Sequence, residues 1–365
     1  MAIKQICRTL LSLILVVTLG ASCQDSSSGG DGDSGHAATA DTSVDRDSRP
    51  IGDTSDHDQA DTEAASDVLV PSDANGRDTT SEDAASKDTA GGDDTGGGVP
   101  VTECANAPSD WIWCDDFEKD RLSSYFEYDD ADGRFDRTTG VGVSNSNAMK
   151  ATFAKGKTGA GNLHLAFGDT PSSYFDPVDN GTTKFRELYW RVYVRHESSW
   201  TGGGGHKLSR ATIFVDGNWA QAMIAHVWSG SDSPGHNYLV LDPASGTDES
   251  GNLQTTTYND FSNLRWLGAK QGKTPLFDSQ HVGDWYCVEA HVRLNDAQKS
   301  NGTFEYWIDG QLEARATGLN WVGDYDQYGL NAVFLENYWN GGAPKKQSRY
   351  FDNFVVSTSR IGCGG

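Results

Sequence analysis

No aromatic Phe, Trp or Tyr occurs between residues 24 and 103, and those 80 positions hold only seven Val, Ile or Leu. All 11 Trp lie beyond them. Ordering a residue costs about 1–2 kcal/mol of backbone entropy, and apolar burial must offset it. Residues 24–103 cannot supply that burial, so they are expected to stay disordered. The folding part of the chain is 104–365, enough for one large or two small domains.

Charge follows the same division. Residues 24–103 carry 20 acidic and 4 basic side chains, and residues 104–365 carry 32 and 23. The first stretch is therefore a self-repelling acidic tether. A Ca²⁺-binding array is the alternative, but the Asp spacing has no fixed repeat. Both parts are acidic and no Lys/Arg cluster stands out, which excludes nucleic acid as a natural partner.

Ahead of the tether, Lys4 and Arg8 precede an apolar run over 10–19, then Gly20, Ala21, Ser22 and Cys23. A charged start, an apolar middle and a small-residue end make an export signal over 1–23. The run is too short to span a bilayer. Read with Cys23, it resembles a bacterial lipoprotein signal, which implies lipidation of Cys23 and a membrane anchor. Gln24 after the Cys implies the outer membrane or cell surface. Ordinary cleavage, with a secreted product, is the alternative. Exported chains tolerate disulfides, so Cys104, Cys114, Cys287 and Cys363 are expected to form two, in any of three pairings.

Within 104–365, period-two apolar segments recur at 188–196, 208–215, 221–228, 238–241, 285–294, 303–308, 331–338 and 350–357, with Gly, Asn, Asp and Pro between them. Asp309 and Gly310 separate two such runs and predict a tight hairpin. No long amphipathic helix is evident. The fold class is all-β: a two-sheet antiparallel sandwich of the jelly-roll kind. Segment 285–294 divides into a buried set (Tyr286, Val288, Ala290, Val292, Leu294) and an opposite set (Trp285, Cys287, Glu289, His291, Arg293). Segment 188–196 sets Leu188, Trp190, Val192 and Val194 against Tyr189, Arg191, Tyr193 and Arg195. Such Tyr/Arg alternation suits either a solvated face or the floor of a groove for a sugar chain or polyanion.

A series of landmarks then resembles concanavalin-like jelly-roll polysaccharide lyases, above all the alginate and glucuronan lyases. They are Trp113-Cys114-Asp115-Asp116-Phe117-Glu118; Tyr189-Trp190-Arg191-Val192-Tyr193-Val194-Arg195, followed by four glycines at 202–205 and His206-Lys207-Leu208; Gly283-Asp284-Trp285-Tyr286; Asn301 through Gly310; Phe334-Leu335-Glu336-Asn337-Tyr338-Trp339-Asn340-Gly341-Gly342; and Tyr350-Phe351-Asp352-Asn353-Phe354. The resemblance implies cleavage of a uronic-acid polysaccharide by β-elimination. It makes Lys207 and Tyr238 catalytic candidates, with His226 standing where the family has a different residue. Here His206 and Ser209 replace the family's usual Gly and Pro around the Lys-Leu pair, and one Tyr stands where it has two.

Elimination needs a base, an acid and groups that stabilise an enolate-like charge. Arg191, Arg210, Gln221, Trp228, His291 and Asn337 complete the expected substrate-binding set. A glycoside hydrolase would need two carboxylates about 5–9 Å apart. The single-strand Glu-x-Asp pattern of concanavalin-like hydrolases is absent, and Glu289 and Glu336 stand alone on their strands. A non-catalytic carbohydrate-binding module is the reading from another class, with Trp200, Trp228 and Trp339 as platforms. No cofactor is required. A structural calcium held by Asp116, Glu118 and Asp352 is an expectation, as is a monomeric state.

Overall fold

The computed structural model describes residues 103–179, 181–231 and 235–364. The export signal, Cys23 and the tether up to residue 102 lie outside the described residues. The strands are β1 (Trp111–Asp115), β2 (Glu127–Asp129), β3 (Phe135–Thr138), β4 (Ala148–Phe153), β5 (Gly159–Ala166), β6 (Glu187–His196), β7 (Lys207–Phe214), β8 (Gln221–Trp228), β9 (Val240–Ser245), β10 (Arg265–Trp266), β11 (Lys270–Gln271), β12 (Trp285–Arg293), β13 (Gly302–Ile308), β14 (Gln311–Leu319), β15 (Ala332–Tyr338) and β16 (Gln347–Ser357). Short 3₁₀ turns are the only helices among the described residues.

Two antiparallel sheets of eight strands face one another. Sheet A runs β14-β13-β12-β6-β16-β4-β3, with β1 added on β16. Sheet B runs β10-β9-β8-β7-β15-β5-β2, with β11 added on β9. The chain crosses between sheets at β1 to β2, β2 to β3, β4 to β5, β5 to β6, β6 to β7, β11 to β12, β14 to β15 and β15 to β16, so the sheet centres are built from segments distant in sequence. The all-β sandwich expected from the period-two segments is the observed fold.

The inner faces follow the alternation. Leu188, Trp190, Val192 and Val194 of β6 and Val288, Ala290 and Val292 of β12 enter one core with Ala211 and Ile213 of β7, Ala225 and Val227 of β8, and Val333 and Leu335 of β15. Burying one such side chain contributes about 1.5–3 kcal/mol, so this cluster is the main source of stability. The hairpin between β13 and β14 forms as expected: Asp309 and Gly310 both take positive φ, 48° and 77°, and Ile308 faces Gln311.

The outer face of sheet A is closed by the ends of the described chain. Arg191 donates to both carboxylate oxygens of Glu103, at 2.8 and 2.5 Å. Glu289 accepts from the backbone of Ile361 and Gly362. Disulfides join Cys104 to Cys114 and Cys287 to Cys363, which selects one of the three pairings. Bridges at both ends of a domain fit an oxidising compartment.

Candidate functional site

Register on the outer face of sheet B assembles the site. Neighbouring strands place Glu127 (β2) beside His164 (β5), His164 beside Phe334 (β15), Phe334 beside Arg210 (β7), Arg210 beside His226 (β8) and His226 beside Asp242 (β9). One row of polar and aromatic side chains thus crosses six strands. It faces outward because its sequence neighbours Leu163, Val333, Ala211, Ala225 and Leu241 face the core. A second row sets Lys207 beside Trp228 and Trp228 beside Val240. A bulge between Lys207 and Ser209 turns Lys207 onto this face, while the Ser209 hydroxyl accepts from the Trp190 indole inside the sandwich.

Arg210 and Glu336 form the centre. Arg210 Nη2 donates to Glu336 Oε1 at 2.7 Å, and Nη1 donates to Asn259 Oδ1 at 2.8 Å. Its Nη2 also donates to the Tyr258 hydroxyl. The guanidinium lies between the Tyr258 and Phe334 rings, 5.0 and 5.2 Å from their centroids. Despite its burial, the Glu336 carboxyl is held well below the usual range by Arg210, His226 and Lys207. Tyr258 is pushed well above the usual phenol range, mainly by burial, so its proton is firmly held.

His226 Nε2 lies 3.5 Å from Glu336 Oε2, too far for a short hydrogen bond. Neither atom has a hydrogen-bond partner, although both are buried. Burial and the Lys207 charge push the imidazole down to about 4, against the opposing pull of Glu336. It is therefore neutral at pH 7. Its ring lies parallel to Trp228 at 5.7 Å, and the Lys207 ammonium sits 4.8 Å from the Trp228 centroid and 5.8 Å from that of Phe261. Two buried polar atoms that face each other at 3.5 Å without a good hydrogen bond are costly to maintain.

Gln221 supports this cluster. Its side chain donates to Thr212 and accepts from the Asn259 backbone, anchoring the segment that carries Tyr258 and Asn259. Tyr238 sits in the turn entering β9, its ring 6.2 Å from that of His236. Asn337 is buried and donates to the Gly161 carbonyl. Lys207, Arg210, Gln221, His226 and Trp228 therefore gather on or beneath one face.

Arg191 and His291 lie on the opposite side of the molecule. Arg191 is closed under Glu103, and His291 is bracketed by Glu187 and Glu305 at 2.8 and 3.1 Å. Arg191 and Tyr193 on the Tyr/Arg face of β6 are thus covered by the segments around Glu103 and Cys363, while Tyr189 stacks on His291 and Arg195 donates to the Val141 carbonyl. Trp200 and Trp339 are also misplaced as platforms. Each is 4% exposed, and they stack on one another at 5.3 Å.

The acids considered for calcium are occupied by protein donors. Asp116 accepts from the backbone of Cys104 and Glu118, Glu118 from the backbone and side chain of Asn147, and Asp352 from Val143, Ser146 and Asn353. Among the described residues no group of three His, Cys, Asp or Glu is arranged to hold a metal ion.

Sequence reading missed Tyr258, Asn259, His164 and Glu127. Tyr258 and Asn259 lie in a segment without periodicity, and β2 and β5 lack a strong apolar alternation. Glu336 was noticed only as an isolated acid, because its partners are 126 and 110 positions away on β7 and β8.

No family model matches this sequence, and no curated protein matches it either. Solved structures do resemble it in fold. An alginate lyase from a Chlorella virus is 13% identical with a TM-score of 0.45, over 62% of this chain and 89% of its own. An endo-β-1,4-glucuronan lyase from the fungus Trichoderma reesei is 14% identical with a TM-score of 0.46, over 68% and 96%. A marine alginate lyase from Aplysia kurodai is 15% identical with a TM-score of 0.46, over 68% and 99%. Identities this low leave the chemistry to be argued from this chain's own side chains.

Proposed function

We propose that the outer face of sheet B binds an acidic polysaccharide and cleaves it by β-elimination next to a uronic acid. The reading is carried by one observation: a buried, neutral imidazole whose Nε2 makes no good hydrogen bond, 3.5 Å from Glu336 Oε2 and within the field of the Lys207 charge. Lys207 meets the uronate carboxylate and stabilises the charge that develops as the neighbouring carbon loses its proton. His226 Nε2 takes that proton. Glu336, kept ionised by Arg210, stabilises the imidazolium that results. As the electron pair of the lost C–H bond forms the double bond, the 4-linked carbon–oxygen bond breaks, and the leaving oxygen takes the proton of the Tyr258 hydroxyl, which accepts from Arg210. Trp228 offers an aromatic surface to the sugar ring.

A second reading, binding without cleavage, is favoured by the burial of the cluster. Lys207, Arg210, His226 and Glu336 are each at most 9% exposed, whereas Trp266 and Tyr174 are 39% and 52% exposed. A polymer would meet such aromatic side chains first.

The test is the ultraviolet absorbance of the unsaturated product when the full chain is incubated with alginate, polyglucuronate and pectate. A rise that Lys207→Ala and His226→Gln both lose supports elimination. No rise, with retarded migration in polysaccharide gels, transfers the site to the binding module. The export signal belongs to the same proposal, since an anchored domain would meet external polymers. Mass spectrometry of the mature N-terminus should find a lipid on Cys23; an unmodified start downstream of it would mean secretion.

A further inference from the structure

We propose that Arg349 is a positioning residue that sets the spacing between Lys207 and Glu336 from inside the sandwich. The kinetic part of this proposal rests on the elimination reading above; the structural part does not.

The ladder between β7 and β15 is interrupted at the site. It pairs Ala332 with Thr212, Val333 with Ala211, Phe334 with Arg210 and Leu335 with Ser209, then stops. The next contact between the two segments is a lone bridge from His206 to Trp339. Lys207 and Glu336 stand in the gap. Each strand also carries an irregularity here, between Lys207 and Ser209 and between Glu336 and Tyr338. Two opposed carbonyls in such a gap need donors, because buried backbone oxygens are seldom left bare.

Arg349 supplies them. It belongs to β16 of sheet A, is fully buried, and points across the interior. Its Nη1 donates to the Lys207 carbonyl at 2.6 Å and to the Glu336 carbonyl at 3.2 Å. Nε donates to His196 Nε2 at 3.2 Å and Nη2 to His206 Nδ1 at 2.6 Å. Accepting those bonds requires both imidazoles to be neutral, and burial and the Arg349 charge hold both well below the usual range. Among the described residues no carboxylate pairs with Arg349, and burial pushes it down to about 9. A buried guanidinium without an acid is an expensive way to fill a core. Its Nη1 does what a hydrocarbon could not: it ties two broken strand ends together, while Nε and Nη2 fix the guanidinium plane on the two imidazoles.

The variant that tests this is Arg349→Lys in the full chain. It keeps a nitrogen donor but loses the fork that reaches both carbonyls and both imidazoles together. The readout is the His226 titration midpoint, followed by NMR of ring-labelled histidine and assigned with His226→Gln. If Arg349 holds the spacing, loosening it moves the midpoint upward from about 4, by about one unit as burial relaxes. The kcat of elimination then falls about 10–100-fold with little change in KM. An unmoved midpoint in the folded variant overturns the proposal, and Arg349 is then a packing residue. Should Arg349→Lys not fold, Arg349→Met fills the same space without the Nη1 that holds both carbonyls, and the same midpoint decides. A wild-type protein without eliminase activity sinks the proposed function but leaves the titration arm intact.

Discussion

At the residue scale, the face of sheet B depends on how four ionisable groups bias one another. His226→Gln removes the proposed base and should lower the elimination rate by about 10²–10⁴-fold. In the unaltered protein the rate should rise with pH through about 4, the midpoint of His226. A lower limb near the ordinary imidazole value would show that another group takes the proton. Glu336→Gln leaves Arg210 buried without its counter-ion, and breaking such a pair costs about 3–5 kcal/mol. Because Glu336 raises His226, the same variant should also lower the His226 midpoint. Chemical denaturation measures the first effect and NMR titration the second; unchanged stability would mean that Asn259 and Tyr258 satisfy Arg210 unaided.

At the element scale, strand periodicity was legible wherever apolar and polar residues alternate strongly. Segment 221–228 coincides with β8, and 285–294 and 188–196 nearly coincide with β12 and β6. The weaker strands hide for specific reasons. Past the hairpin start at Gln311-Leu312-Glu313, β14 continues Ala-Arg-Ala-Thr-Gly-Leu, whose Ala and Arg favour helix in isolation. β5 contains two Gly and an Ala in its first three positions. Tertiary pairing overrides both propensities. The segment carrying Tyr258 and Asn259 hangs on one tight approach: a Cβ added at Gly246 would stand 1.8 Å from the Gln221 carbonyl oxygen. Gly246→Ala should therefore cost about 1–3 kcal/mol and expose residues 253–263 to limited proteolysis. Wild-type resistance with wild-type stability would show that the backbone yields there without cost.

For the whole molecule, the two disulfides and the buried acids set the conditions of stability. The Cys287–Cys363 bridge spans 76 positions, and loop-closure entropy assigns it about 4 kcal/mol. Cys287→Ala with Cys363→Ala should lower the unfolding free energy by that order and loosen residues 361–364 from Glu289. Equal denaturation midpoints for the two proteins would contradict this. Asp352 is pushed up to about 7 by burial, with Glu118 adding to the shift. The folded state then binds a proton that the unfolded chain releases near 3.8, so this group's stabilisation is present at low pH and is lost as pH rises through about 7. Asp352→Asn should thus narrow the stability difference between pH about 4 and about 7; an unchanged difference would mean that Asp352 titrates normally.

The sequence by itself determined the class of fold. Alternating segments rich in Val, Ile, Trp and Tyr must bury one face, which requires a second sheet. The resemblance to the lyases put Lys207 and His226 among the candidates, and the chemistry that elimination and sugar binding need added Arg210, Gln221 and Trp228. Only the tertiary structure decided which outward face each strand shares. Alternation tells in from out but does not say which sheet a strand joins. Arg191 and His291 have the same local signature as Arg210 and His226, yet they fall on sheet A beneath or beside other partners. Glu336, Tyr258 and Arg349 acquire their places through contacts between strands distant in the chain, where sequence spacing carries no record of distance in space.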